Sequence, residues 1–215
     1  MKKALVIILI LFCTSAFAQD SLKYYNNLRI NTTSSGMKIL GGWGILNLGT
    51  GAIWGWNSKS TSVYADLGGS QVVSRSGVIS PEGKYFFQMN TIWGAVDFGT
   101  ALLGYANIQK YRKKNLNAAE TLEQQKKLEK IFLVNGALDI GYLGVGTYLK
   151  LAGDSRKSPI MKGYGESILI QGGFLLIFDG LMYHAEKRNG TRLRNFLEKH
   201  PISFDGHRVG TVITM

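Results

Sequence analysis

Polar and apolar positions are not mixed evenly along this chain. A basic start, Lys2-Lys3, is followed by nine apolar residues at 4–12. After residue 18 come four stretches almost free of charge, residues 39–57, 85–108, 131–149 and 164–183. Together they hold four charged side chains: Asp97, Asp139, Glu166 and Asp179. A helix with one solvent-facing side places a charge every few residues on that side, and these stretches do not. Each has the length that crosses about 30 Å of hydrocarbon as a helix. Aromatic residues mark several ends, with Trp54 and Trp56 closing the first stretch, Tyr85 and Phe86 opening the second, and Tyr148, Tyr164 and Tyr183 at others. That placement suits a membrane interface.

The pattern predicts an all-α fold: a helical integral membrane bundle of four Gly-rich transmembrane helices after a cleaved signal peptide. Residues 1–18 read as the signal, with Ala16-Phe17-Ala18 supplying the small residues of a cleavage site before Gln19. Residues 19–38 form an N-terminal segment, 39–184 the four-span domain, and 185–215 a basic tail. Two other architectures compete. A water-soluble four-helix bundle would have to tolerate many glycines, each costing about 1 kcal/mol relative to Ala in a helix. An outer-membrane barrel would need strict alternation, which is absent, and residues 118–130 (AAETLEQQKKLEK) are helical in pattern.

Between the spans, residues 58–84 are rich in Ser and Gly and read as a loop with room for a short hairpin. Residues 109–130 read as a basic helical connector, and 150–163 as a turn region around Gly153-Asp154 and Pro159. The tail carries a short basic helix over residues 191–199, ended by Pro201, and an extended finish at 209–214.

A weak repeat runs through the spans. The first contains Trp43-Gly44-Ile45-Leu46-Asn47, the second Trp93-Gly94-Ala95-Val96-Asp97, and the third Asn135-Gly136-Ala137-Leu138-Asp139. The fourth keeps Phe178-Asp179-Gly180. Asn90, Asn135 and Gln171 precede Asp97, Asp139 and Asp179 by seven, four and eight residues, offsets that stay near one helix face. Asn47, Asn90, Asp97, Asn135, Asp139, Gln171 and Asp179 are therefore the candidate site residues. They form either a binding site or proton path, or a polar seam that glues the helices together. No basic residue lies within a span as a counter-ion. Tyr142 and Tyr183, three and four residues after their aspartates, are candidate hydrogen-bond donors.

The strings FFQMNTIWGAVDFG (86–99), FLVNGALDIGYLGVG (132–146) and GYGESILIQGGFLLIFDG (163–180) resemble an uncharacterised family of small bacterial multi-pass membrane proteins, over residues 37–185 without the loops. The resemblance implies a domain of unknown function in the cell envelope. Its recurring positions are Asn90, Asn135, Asp139, Gln171 and Asp179, and it carries no catalytic residue.

Composition sharpens the picture. The chain has 215 residues, 25 basic and 14 acidic, a formal net charge of +11, and 27 glycines. Glycine is well above its average of about 7%. Gly51-x-x-x-Gly55 has the spacing that lets membrane helices approach closely. The one cysteine, Cys13, leaves with the signal, which removes thiol chemistry. Three histidines, His184, His200 and His207, lack zinc-site spacing. Gly41-Gly42-x-Gly44 lacks the strand and downstream acid of a dinucleotide site. No cofactor, metal or catalytic residue is expected, and the chain is not expected to be an enzyme.

All basic residues of the mature chain fall outside the spans, so the partners expected are a lipid bilayer and anionic headgroups at the connector (Lys110, Arg112, Lys113, Lys114, Lys126, Lys127, Lys130) and tail (Lys187, Arg188, Arg192, Arg194), not nucleic acid. A second copy of the chain is a further candidate partner. The expected place is the cell membrane, as a multi-pass protein exported through its N-terminal signal. The expected role is structural or accessory; the alternative is a small transporter or a proton- or ion-conducting protein that uses the aspartates. Topology does not settle by charge: four crossings after a cleaved signal leave 16 basic residues outside against 7 inside, contrary to the positive-inside tendency. A first segment that does not cross gives 13 inside against 10. An uncleaved signal that does not cross is the third arrangement.

Overall fold

Three helix starts follow directly from the local sequence. Ser80 precedes Pro81 and Ser158 precedes Pro159, so a hydroxyl cap stands before a residue that lacks the N–H a first turn cannot use. The Ser80 hydroxyl accepts the Gly83 N–H at 3.1 Å and the Ser158 hydroxyl accepts the Met161 N–H at 3.4 Å. At the third start, Asn117 Oδ1 accepts the Glu120 N–H at 2.9 Å, and Glu120 Oε2 accepts the Asn117 N–H at 3.0 Å. That reciprocal pair satisfies two N–H groups that have no partner inside the helix.

The structure, a computed structural model, describes the backbone of residues 2–56, 60–67, 70–77, 79–199, 202–204 and 209–211, and the side chains of 22–56 and 79–199. The fold is all-α in its architecture. Four long helices, α1 (Lys2–Gly51), α2 (Pro81–Gln109), α3 (Ala118–Ser155) and α4 (Pro159–Lys199), carry the chain. A π-helical turn, Ala52–Trp56, ends α1, and a 3-10 turn, Lys110–Lys113, follows α2. Two small antiparallel hairpins complete it: β1 (Ser60–Leu67) with β2 (Ser70–Gly77), and β3 (Ile202–Phe204) with β4 (Val209–Thr211). The first hairpin occupies the loop where the sequence left room for one. The side chains of residues 1–18, where the sequence predicts a signal, lie outside the described residues, Cys13 among them; the backbone from Lys2 is the start of α1.

The helices are longer than the apolar stretches. The segment 19–38 is continuous with the first stretch in α1, and the basic helix expected at 191–199 is the end of α4 rather than a separate element. Along α1 the buried positions Leu22, Asn26, Ile30, Thr33, Gly36, Leu40, Gly44, Asn47 and Gly51 keep a spacing of three to four, with Arg29, Ser34 and Met37 buried beside them. One inward face therefore continues along the helix. The turn at 150–163 is also shorter than expected. Ser158 donates its N–H to the Gly153 carbonyl at 2.8 Å and Lys157 to the Asp154 carbonyl at 3.3 Å, a closed helix end. It needs Lys157 in the left-handed region, at φ 51°.

Two compact units divide the chain. One comprises Met1–Gly36, Gly104–Val134 and Gly180–Met215; the other comprises Met37–Leu103 and Asn135–Asp179. The first has an apolar cluster of Leu22, Ala118, Leu122, Leu193 and Leu197, with Tyr25 and Phe196 packed against it. The second is held by backbone-to-backbone helix contacts. A Cβ added at Gly44 would lie 2.6 Å from the Phe98 nitrogen, and one at Gly94 would lie 2.6 Å from the Leu48 nitrogen. So the repeated Trp-Gly string of α1 and α2 is the place where these two helices cross. Gly51 and Gly55 likewise meet backbone of Phe87 and Gln88 on α2, as the small-residue spacing anticipates. The Gly55 carbonyl, freed by the π turn, accepts the Gln88 side-chain amide at 3.1 Å.

Candidate functional site

All seven candidate residues belong to the unit made of Met37–Leu103 and Asn135–Asp179. Asn47, Asn90, Asp97, Asp139, Gln171 and Asp179 are buried, and Asn135 is half-buried. The four helices deliver them because each polar residue sits on the inward stripe of its helix: Asn90 and Asp97, seven apart, are two turns from each other on α2. Gln171 and Asp179 bear nearly the same relation on α4.

The seam has two levels. At the first, Gln171 of α4 is fully enclosed and bonds through both its amide nitrogen and its oxygen. Its amide nitrogen donates to Asn47 Oδ1 at 2.8 Å and to Asn90 Oδ1 at 3.1 Å, and its oxygen accepts the Trp43 indole N–H at 2.7 Å. Ser167 donates to Asn90 Oδ1 at 2.5 Å, and Asn47 donates to the Trp43 carbonyl at 2.9 Å. Trp43 stacks on Phe174 with ring centroids 4.2 Å apart, which fixes the indole for its bond. One glutamine thus ties three helices together.

The second level lies about 10–12 Å along the helix axes, at 1.5 Å per residue. Asp139 of α3 and Asp179 of α4 share a side-chain hydrogen bond, and Asn135 bonds Asp179. Asp97 of α2 is near enough to interact electrostatically with both. Two carboxyl groups joined by a hydrogen bond hold a proton between them, because carboxylate oxygens alone offer no donor. Asp97 Oδ2, Asp139 Oδ2 and the Trp93 indole nitrogen are buried without a hydrogen-bond partner. Every Lys and Arg of this unit whose side chain is described (Lys38, Lys84, Lys150, Arg156, Lys157, Lys162) lies outside the four apolar stretches. Among the described residues, no group of three His, Cys, Asp or Glu is placed to hold a metal ion. Tyr142 turns its ring edge to Trp93, with centroids 5.1 Å apart, whereas Tyr183 belongs to the other unit and carries Lys187 over its ring.

Residues 65–180 match the model of a family described as Family of unknown function (DUF6992). The chain belongs to this family. No curated protein and no solved structure matches it. The DUF6992 match takes in six of the seven seam residues, all but Asn47, and ends one residue after Asp179.

A second buried polar network lies largely beyond the DUF6992 match and was missed by sequence reasoning. In the other unit, Glu186 is fully enclosed and Arg29 almost so. Thr33 donates to Glu186 Oε1 at 2.8 Å, and the Gln125 amide donates to Glu186 Oε2 at 3.0 Å and to its carbonyl at 2.7 Å. Arg29 donates to Asn26 Oδ1 and lies over the Tyr111 ring, 5.2 Å from its centroid, with its Nε buried and unpartnered. Burial raises the Glu186 carboxyl above its ordinary range, against the lowering pull of Gln125, Thr33, Asn189 and the Arg29 charge. Burial likewise lowers the Arg29 guanidinium, opposed by Glu186 and Tyr111. The sequence signal was the spacing of Asn26, Arg29 and Thr33, which marks one helix face in a stretch whose polarity resembles a solvated segment.

Proposed function

We propose that this chain is an integral membrane protein of the bacterial envelope, exported by a cleaved signal at residues 1–18, with four helices crossing the bilayer and a structural or accessory role. The observation that carries the reading is inverted polarity in the unit of Met37–Leu103 and Asn135–Asp179. Its inside holds Asn47, Asn90, Asp97, Ser167, Gln171 and Asp179, while Ile45, Leu46, Ile92, Val96, Leu102, Leu103, Leu138, Ile140, Val145, Ile170 and Ile177 are exposed. Leu103 is 73% and Ile177 66% exposed, values a lipid environment accommodates and water disfavours. Between residues 39 and 56 no charged side chain faces outward.

Among the described residues, one helix, Pro159–Lys199, is long and apolar enough to cross a membrane by length and composition. Glycine, tryptophan and the buried Asn and Asp residues together lower the mean hydropathy of the other helices. The bonds that Gln171 makes to α1 and α2 support a gluing role for the amide level, since interhelical bonds of this kind contribute on the order of 0.6–2 kcal/mol each. Exposed Lys110, Arg112, Lys113, Lys114, Lys187, Arg188 and Arg192 suit anionic headgroups, and the exposed apolar face suits lipid or a second copy of the chain.

Fractionation tests the reading. Protein retained in membranes through an alkaline carbonate wash and released by detergent is the expected result; mature protein in the detergent-free supernatant contradicts it. Reporter fusions at residues 70, 120, 156 and 210 then fix the crossings, with export at 120 and 210 expected for four spans.

A further inference from the structure

The two levels of the seam treat their polar atoms differently. The amide level bonds Gln171 through both its nitrogen and its oxygen, whereas the acid level leaves two carboxylate oxygens and one indole N–H buried without partners. An unsatisfied buried polar group costs about 1–3 kcal/mol, more if charged. A unit that satisfies its glue so completely, yet keeps two acceptors and a donor free around one group of acids, has kept them for something small. Asp97 is 3% exposed, keeps one carboxylate oxygen without a partner, and interacts electrostatically with Asp139.

We infer that Asp97, Asp139 and Asp179 form a proton-binding site, in which the Asp139–Asp179 pair shares one proton and Asp97 takes up and releases a second. Each event adds a proton to a carboxylate oxygen or removes it, and no other bond changes. The donors do not converge as a metal cage requires, which leaves the proton as the ligand these atoms fit.

The surroundings contain little that would compensate the acids. α1 brings no titratable side chain between residues 39 and 56. Within eight residues of an acid on its own helix stand Tyr105 on α2, Tyr142 on α3, and Tyr183, His184, Glu186 and Lys187 on α4. Of these only Tyr142 belongs to the same unit. Glue needs satisfied bonds alone, so an exchangeable proton goes beyond the structural role proposed above. The inference rests on the geometry of the unit and holds whichever fraction the protein occupies.

Infrared spectroscopy of the purified full-length protein reads the site directly. At neutral pH the wild type is expected to show a protonated-carboxyl stretch that exchanges slowly in deuterated buffer and disappears on alkalinisation. Asp139→Asn and Asp179→Asn are expected to lose it, and Asp154→Asn, at an exposed carboxylate paired with Lys162, is expected to keep it. A wild type with no such band at neutral pH overturns the proposal without recourse to any variant. So does a band that survives in both Asp139→Asn and Asp179→Asn while their helical content is unchanged.

Discussion

Glycines at helix crossings behave differently from glycines that merely sit on a helix. A methyl group at Gly44 would meet backbone of α2 at 2.6 Å, and a backbone cannot swing aside as a side-chain tip does. Gly49 has nothing within 4 Å of the same added atom. Gly44→Ala is therefore expected to lower stability by about 1–3 kcal/mol, and Gly49→Ala to leave it unchanged or raise it by up to about 1 kcal/mol. Thermal melts followed by circular dichroism in mild detergent compare the two. Equal effects would remove the distinction. Glu186 gives a residue-scale prediction of another kind. Its pKa in the fold is raised, so the fold holds more protons at this position than the unfolded chain, and stability falls as pH rises past the ordinary carboxylate value. Relative to the wild type, Glu186→Gln should gain stability over the pH range that begins at about 4, the ordinary carboxylate value. A difference that stays flat across that range would place no burial penalty on Glu186. The acid seam was legible at this scale because Asn and Asp recur at matching places in charge-poor stretches. Arg29 and Glu186 were not, because a charged residue in a charged stretch looks solvated until its neighbours three and four away are read with it.

At the scale of elements, the four helices were legible from four charge-poor stretches, and their cores fall where those stretches lie. Their ends were not, since α1 begins far before residue 39 and α4 continues past 183 through a basic region. Hydrophobic length marks where a helix is apolar, not where it stops; stopping is decided by caps. The caps therefore offer the element-scale prediction. Lys157 occupies the left-handed region at φ 51°, a conformation that costs a side-chain-bearing residue about 1 kcal/mol or more. Lys157→Gly is expected to stabilise the α3–α4 connection by about 0.5–1 kcal/mol, and Asn117→Ala to destabilise the start of α3 by about 1 kcal/mol. Hydrogen exchange at residues 153–162 and 117–122 reads the two locally. Slower exchange at the first and faster exchange at the second are expected, and no change at either would assign the ends to tertiary packing instead of their caps.

For the whole molecule, the glycine excess and the positive charge have a common explanation. Glycine lets the helices of one unit close on a polar interior, while the basic residues gather on segments outside the apolar stretches. Mean hydropathy over the full chain is +0.02, a value that conceals both facts because a buried aspartate and an exposed lysine count alike. Burial, which composition does not carry, separates them. The account's central claim is that the exposed Leu, Ile and Val of Met37–Leu103 and Asn135–Asp179 face lipid. Spin labels placed one at a time at Leu138 and Ile170, with Lys126 as a reference and Cys13 replaced by Ser, test this in membranes. The account predicts that labels at 138 and 170 collide readily with oxygen and hardly at all with a water-soluble nickel chelate, with the reverse at 126. Free access of the chelate to positions 138 and 170 would contradict it.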